Sequence, residues 1–352
     1  MERRRLEELL NRFSGLRIAV VGDFFLDKWL EIDRTLDEPS VETGLTAYQV
    51  VEKRCYAGAA GTVLSNLAAL EAGTLYALGF LGDDGEGFEM LRILKALGVD
   101  TGFLAVSGKV MTPTYTKPVF RRKNGLEETH RLDHKNTNPT PRDLEDTIIN
   151  SIWTAVPKVD ALIALDQLSC EGCGVLSPRI REELAKVGER YPDLVLYADS
   201  RSFIGHFRSM IVKCNNIEAL KLFYPGAAPE TAANLELIEK CLMDLAGRTG
   251  RPAFISCGSR GVMTLERGKP VLVPAIPLDP DIPIDIVGAG DACSSGIVSA
   301  LCCGASPKEA AFVGNMAASV TIQVIGTTGT AARSQILALY DEYCGAHRWM
   351  AE

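Results

Sequence analysis

The apolar residues of this chain come in short bursts, each ending in a polar break before a longer stretch of helical period. R-I-A-V-V-G, residues 17–22, is an apolar run of strand length that ends at Gly22 and Asp23, too short for a buried helix. T-L-Y-A-L-G-F-L-G, residues 74–82, repeats the pattern, and a helical period runs from Gly87 to Leu97. The same alternation predicts strands at 161–165, 194–198, 210–213 and 253–256, and helices at 178–190, 235–249, 295–303 and 307–324. Strands alternating with helices predict an α/β fold, a mostly parallel sheet covered on both faces. Polar residues gather just past the strand ends, at Asp23, Asp83, Asp166, Asp199, Asn215 and Gly258. Open α/β sheets hold their ligands at that edge.

Two stretches break the rhythm. Residues 28–56 and 108–135 interleave β-branched and aromatic residues with charges, as in T-Y-T-K-P-V-F-R-R, and have no helical period. They predict antiparallel strands in a small second sheet, a lid over the site. An exposed β edge rarely stays unpaired, so Tyr48, Val50, Tyr115 and Val119 are candidates for contact with a second subunit and a homodimer is expected. At the start, Arg3-Arg4-Arg5 precedes Leu6, Leu9, Leu10 and Phe13, one face of a short docked helix. No long apolar run follows it, as a secretory leader would require.

Composition narrows the class. With 352 residues, 47% of them hydrophobic, the chain can bury a large core. The net charge of −8 is spread in both signs without a long basic run, which argues against a nucleic-acid partner. Nothing approaches the ~18–20 apolar residues of a membrane span, so a soluble cytoplasmic protein is expected. Of ten cysteines, Cys170 and Cys173 form the only close C-x-x-C, and neither a second pair nor a nearby histidine completes a zinc set. Cys293, Cys302 and Cys303 lie in apolar helical context, and a reduced setting is expected. His130 and His134, spaced i,i+4 in a polar strand-like segment, read as surface residues.

The chain lacks G-x-x-x-x-G-K-[ST], a G-x-G-x-x-G after its first strand, and G-x-S-x-G, so a Walker loop, a dinucleotide fold and a hydrolase elbow lose their signatures. What it has is D-I-V-G-A-G-D-A, residues 285–292, opening a helix. Gly288 and Gly290 allow a tight turn and close approach to a ligand. The N–H groups of Ala289, Gly290 and Asp291 would then meet an anion, helped by the helix dipole. Such a socket suits a phosphoryl group in transfer, with Asp291 placed to take a proton from an attacking hydroxyl. A helix N-cap after a glycine turn would use the same residues.

On these and further motifs the chain resembles the ribokinase-like (PfkB) sugar kinases over nearly its whole length, in particular their heptose-phosphate kinase branch. D-I-V-G-A-G-D is similar to the family's D-T-x-G-A-G-D, and V-V-G-D-F-F-L-D-K-W (20–29) to the branch's V-V-G-D-x-x-L-D-x-Y. Y-A-G-A-A-G-T-V-L-S-N-L-A (56–68) resembles the N-terminal signature G-G-A-A-N-V-A-x-N, with Ala59 at a usual Gly and Thr62 at the usual sugar-binding Asn. The resemblance implies a three-layer α/β/α sandwich with a central mostly parallel sheet and a β-sheet lid. It implies Asp291 as base, with Gly288, Ala289 and Gly290 as the anion hole. Sugar contacts fall on Asp23, Asp27, Gly58, Thr62 and Asn66, with Lys117 (T-P-T-Y-T-K) and Arg131 (H-R-L-D) facing an anionic substrate. Nucleotide contacts fall on Asn215, Ser256, Gly258, Gly261 and Asn315. Asn215 and Glu218, the family's N-x-x-E, would organise Mg²⁺ through water, although the pair also fits a helix-start capping box. Asp199 is implied on the phosphate side.

The expected activity is ATP-dependent phosphorylation of a sugar or sugar phosphate, heptose-7-phosphate 1-kinase-like activity included, with Mg²⁺ and a monovalent cation as candidate cofactors. A catalytically silent sugar or nucleotide sensor of the same fold is the alternative. Residues 1–335 are expected to form one kinase domain and 336–352 a C-terminal helix or tail, without a fused nucleotidyltransferase.

Overall fold

The computed structural model describes residues 1–122, 125–279 and 281–347. Lys123 and Asn124, in the expected lid, and residues 348–352, in the expected tail, lie outside the described residues. In chain order the strands are β1 (Arg17–Gly22), β2 (Phe24–Ile32), β3 (Glu38–Pro39), β4 (Thr46–Ala47), β5 (Val50–Ala59), β6 (Thr74–Gly82), β7 (Asp100–Ser107) and β8 (Thr114–Arg122). They continue as β9 (Gly125–Glu128), β10 (Leu132–His134), β11 (Ala161–Asp166), β12 (Val195–Ser200), β13 (Ile211–Asn215), β14 (Ala253–Ser256), β15 (Val262–Glu266) and β16 (Lys269–Val273). The helices are α1 (Arg3–Arg12), α2 (Ala60–Ala69), α3 (Gly85–Ala96), α4 (Arg142–Ala155) and α5 (Pro178–Arg190). After them come α6 (Asn216–Phe223), α7 (Leu235–Thr249), α8 (Ala289–Cys302), α9 (Pro307–Thr321) and α10 (Arg333–His347).

Among the described residues, nine strands pair in the order β16-β15-β14-β13-β12-β11-β1-β6-β7. All pairs from β7 to β14 are parallel, and β15 and β16 close the far edge antiparallel. Side chains alternate across each strand, so Ile18 and Val20 of β1 enter one core while Ala19 and Val21 enter the other. Leu6, Val63, Ile297, Val313 and Ile336 pack the first face; Ile148, Leu184, Ala219 and Leu242 pack the second. Burial on both faces explains the continuous apolar runs. The fold is the expected three-layer α/β/α sandwich. The alternation in the sequence did not reveal β7, α4 or the β15–β16 edge. Helix α10 docks on the core, with Ile336 buried and Tyr340 set edge-on to Phe312. No helix among the described residues is long and apolar enough to cross a membrane.

The lid pairs β10-β8-β2-β5, with β9 on β8. It is wider than expected, from Phe24 to Ala59 on its first segment, and not purely antiparallel. β2 runs antiparallel to β5 but parallel to β8. The cause is where the strands leave the main sheet. β2 follows the C-terminal end of β1 and β8 follows that of β7, which runs parallel to β1 on the far side of β6, so both depart in the same direction. Val119 is fully buried, and Tyr115, half-buried, stacks on Phe25 at 4.8 Å, so both pack within this chain's own lid. Tyr48 and Val50 are exposed.

β1 is the switch point of the sheet, with later strands added on either side of it. Asp23, directly after β1, is buried, and its carboxylate accepts the N–H groups of Gln167 (3.0 Å), Leu168 (3.3 Å) and Val175 (2.8 Å). Burial raises its pKa, and those three bonds oppose the rise. One side chain thus clasps the loop after β11 to the root of the lid. In that loop Cys170 and Cys173, expected to be reduced, are joined as a disulfide, because a four-residue turn brings their Cα atoms to 5.5 Å. Asp23→Ala should cost about 3 kcal/mol, since it strands buried N–H donors. Urea unfolding checks the loss, and faster hydrogen exchange at Gln167, Leu168 and Val175 locates it.

Candidate active site

Helix α8 begins six residues earlier than its apolar period suggests, at Ala289. Its N-cap, Gly288, has φ +81°, a left-handed conformation, and a Cβ there would lie 2.6 Å from Thr328 Cγ2; both demand glycine. A glycine cap supplies no side-chain acceptor, so first-turn N–H groups of Gly290 and Asp291 remain open. Ala289 is different: its N–H donates to Ile286 O at 3.2 Å, which narrows the expected socket. Asp285 shapes the turn, its Oδ1 accepting the Val287 N–H at 3.0 Å.

Behind this turn lies a buried ion pair. Asp199 and Lys213 are register partners on β12 and β13, and Lys213 Nζ donates to Asp199 Oδ2 at 2.8 Å. The same ammonium reaches Gly290 O at 3.3 Å, and a Cβ on Gly290 would come within 3.2 Å of it. Asp199 also accepts from Ser294 Oγ (2.9 Å), which in turn accepts from Tyr197 Oη (3.1 Å). Lys213 is only 4% exposed. Burial alone would lower its pKa, but Asp199 and Tyr197 outweigh burial and keep it charged.

Asp291 stands in the first turn of α8, half-buried, with no hydrogen bond to its carboxylate from the described residues. Burial, then repulsion from Asp199, push its pKa up to about 7, against the pull of Lys213 and Arg201. Glu218 is raised for the same two reasons. It closes a capping box with Asn215: the Glu218 N–H donates to Asn215 Oδ1 and the Asn215 N–H to Glu218 Oε2, both at 2.8 Å. The N-x-x-E motif is therefore a helix cap as well, and the cap is what carries Glu218 to the cluster. Among the described residues no group of three or more His, Cys, Asp or Glu is arranged to hold a metal. Glu218, whose ionisation the Asp199 carboxylate makes costlier, would with Asp199 suit a dication that takes its remaining ligands from phosphates and water.

The lid supplies the facing wall. Strand alternation puts Phe25, Asp27 and Trp29 of β2 on one face, opposite Tyr115 and Lys117 of β8 and Arg54, Tyr56 and Gly58 of β5. Asp27 lies 3.5 Å from Lys117 Nζ, and burial raises its pKa against the pull of Lys117, Arg131 and Arg201. A Cβ on Gly58 would fall 2.6 Å from Asp27 Oδ2, so glycine there makes room for the carboxylate. Lys117 lies 4.8 Å from the Trp29 ring centroid, and the Arg131 guanidinium 4.4 Å from that of Tyr115.

Other expected contacts sit beneath the site. Asp23 spends its carboxylate on the clasp. Thr62 Oγ1 donates to Ala57 O at 3.2 Å, and its methyl faces Gly288; too short to reach past the turn, it packs there. Asn66, also buried, donates to Thr62 O at 2.9 Å. Asn315 Nδ2 donates to Val273 O (2.9 Å) and Pro274 O (3.0 Å), bracing the chain after β16. That chain crosses the 256–261 turn so closely that a Cβ on Gly261 would lie 2.1 Å from Val273 O. Gly258 takes φ +60° in the same turn, and Ser256 Oγ lies 3.5 Å from Cys214 O. Two residues missing from the sequence reading are central: Lys213 and Arg201, the latter acting electrostatically on Asp27, Glu218 and Asp291. A lysine inside the apolar I-V-K-C-N strand was the available signal.

Lys213→Gln should lower kcat about 100-fold through loss of the charge beside the α8 turn. Steady-state kinetics check this, with nucleotide affinity measured separately by calorimetry.

The family described as pfkB family carbohydrate kinase matches residues 25–333. Among curated relatives, the bifunctional protein HldE of Desulfatibacillum aliphaticivorans is 28% identical over 319 residues, 90% of this chain and 61% of that protein. HldE of Wolinella succinogenes is 29% identical over 331 residues, 92% and 65% respectively. The chain thus spans less than two thirds of the length of these relatives. Of solved structures, Arabidopsis thaliana ribokinase complexed with ribose and ATP superposes with a TM-score of 0.66 at 19% identity, over 92% of this chain and 98% of that one. Escherichia coli phosphofructokinase-2 also gives 0.66, at 14% identity, over 93% and 99%.

Proposed function

The chain belongs to the pfkB family of carbohydrate kinases, and on that footing we propose that it transfers the terminal phosphoryl group of ATP to a hydroxyl of a sugar or sugar phosphate. Heptose 7-phosphate is the first substrate to try, since the relatives are named HldE and the lid carries the cations Lys117, beside Asp27, and Arg131, over Tyr115. The observation that carries the reading is Asp291: half-buried, without a hydrogen bond to its carboxylate, and pushed up to about 7 beside the open end of α8. A group with that pKa accepts a proton at neutral pH and is basic enough for the task.

In this reading Asp291 takes the proton of the attacking hydroxyl as the new O–P bond forms and ADP departs. The N–H groups of Gly290 and Asp291 and the α8 dipole meet the charge on the phosphoryl oxygens. Lys213 holds the turn by Gly290 O and adds a fixed positive charge. Mg²⁺ bound near Glu218 and Asp199 would neutralise the nucleotide phosphates. Asp27 orients sugar hydroxyls, Trp29 and Tyr115 cover the ring, and Lys117 and Arg131 receive an anionic substituent. The lid excludes water, which limits hydrolysis of ATP.

A coupled ADP assay with Mg²⁺ against free and phosphorylated sugars tests the reading. A hit is expected; ATP binding without turnover across the panel would favour the silent sensor. Asp291→Asn should reduce kcat by more than about 1000-fold and leave nucleotide binding intact. The kcat/KM of the wild type should fall tenfold per pH unit below about 7 as Asp291 protonates. The stability sign is opposite. A carboxyl whose folded pKa is raised loses stability as pH rises to that value, so Asp291→Asn should melt above the wild type at pH 8, with the gap closing toward pH 4.

The lid also supports a homodimer. β5 is one edge of its sheet among the described residues; Tyr48, Val50, Val51 and Leu45, on it or just before it in the chain, are exposed, and Val41 is 98% exposed. A second copy laid on this edge would cover them. Sedimentation velocity should give a dimer, and Tyr48→Glu with Val50→Lys a monomer.

A further inference from the structure

The loop between β11 and α5 is fixed at both ends and carries a dithiol pair in its middle. Asp23 holds Gln167, Leu168 and Val175. Thr140 holds the second half, its N–H donating to Gly172 O (2.8 Å) and its hydroxyl to Gly174 O (2.7 Å). Between these anchors Cys170-Glu171-Gly172-Cys173 makes one turn, with the Cys173 N–H on Cys170 O at 3.3 Å, Gly172 at φ +76°, and the two sulfurs joined. Glu171, inside the turn, is gripped by Arg181 Nη2 at 2.5 Å and lies 3.4 Å from His206 Nδ1.

The two cysteines differ in environment. Cys170 is exposed, whereas Cys173 is 2% exposed and packs with Phe25 and Leu168, Ala59 and Tyr115 adjoining. Phe25 and Tyr115 are the stacked pair under Arg131, on the lid face that carries Asp27. The disulfide therefore sets how one wall of the proposed sugar site is supported. Cys55, Cys214, Cys241, Cys257, Cys293, Cys302 and Cys303 are free and buried or half-buried.

We infer that Cys170 and Cys173 form a reversible redox pair that tunes sugar affinity, the disulfide being the tight-binding state. The inference rests on the sugar-kinase reading of the lid face. In the oxidised form the four-residue ring fixes Cys173 beneath Phe25 and Tyr115. In the reduced form that ring opens, and sugar binding must reorder the turn at an entropic cost. Exchange begins at the exposed sulfur: a thiolate of a small dithiol attacks Cys170 Sγ, the Cys170–Cys173 bond breaks, and Cys173 leaves as a thiolate and takes a proton. The second thiol of the reductant then displaces Cys170, giving two protein thiols and the cyclic disulfide of the reagent, a transfer of two electrons and two protons. A small disulfide reverses the sequence, with Cys170 attacking first.

The test uses the full chain treated with dithiothreitol or with hydroxyethyl disulfide, the reagent being removed before assay. Alkylation of the unfolded protein and mass spectrometry should show two fewer free thiols after oxidation, both in the peptide holding Cys170 and Cys173. The sugar KM should rise about 5- to 20-fold on reduction, while the ATP KM and kcat stay within twofold. Cys170→Ser, which alters only the exposed partner, should hold the reduced-state KM under both treatments. Equal thiol counts, an unmoved sugar KM in the wild type, or a response that persists in Cys170→Ser would each overturn the inference. Hydrogen exchange over residues 166–177 in the two states needs no turnover. If no sugar is phosphorylated, slower exchange in the oxidised form still supports the switch, and identical exchange rejects it.

Discussion

The Lys213 ammonium is what lets carboxylates crowd one end of the main sheet. Asp199 binds it directly, and both Glu218 and Asp291 feel its charge. Without it, Glu218 and Asp291 would be costlier still to ionise, since burial and repulsion from Asp199 both raise them and Lys213 opposes the rise. Its effect is partial at Asp291, whose pKa is still pushed up to about 7. That incomplete compensation is what leaves Asp291 basic. The same nitrogen touches Gly290 O, so the electrostatic centre and the shape of the α8 turn are one construction.

The lid and the sheet are coupled at a second point. Asp23 ties the chain leaving β1 to the loop leaving β11, on the two sides of the switch point. β2 starts one residue later, so the clasp fixes the root of the lid as well. Lys28 Nζ on Glu86 Oε1 at 3.0 Å adds a tie from β2 to α3. Asp27, four residues past the clasp, is then held where its charge reaches Asp291. Acids of similar sequence context, Asp23 and Asp27, do opposite things because one ends inside the loop and the other faces the lid interior.

Much of the site was legible in short motifs, for local reasons. A glycine forced to positive φ before a helix leaves the same mark in any sequence, and D-I-V-G-A-G-D showed both the turn and the acid that follows it. N-x-x-E was legible as a cap, and the cap proved to be the means by which Glu218 is delivered. Thr62, Asn66 and Asn315 were legible as positions but not as roles. Whether a polar side chain on a helix faces a ligand or braces a neighbouring strand depends on what lies across from it. Lys213 escaped notice because its partner Asp199 is fourteen residues away and meets it only through parallel pairing of β12 with β13.

By itself the sequence determined the alternation of strands and helices, the glycine turn that opens α8, the gathering of polar residues at the strand ends, and the existence of a charged second sheet. These follow from side-chain period and backbone sterics, which act over a few residues. Tertiary structure alone decided that β2 and β8 run parallel, that Val119 faces inward, that Asp23 clasps a backbone loop, that Cys170 and Cys173 are joined, and that Lys213 sits among acids. Each of these depends on strand order and on burial, and neither is encoded in any one segment of the chain.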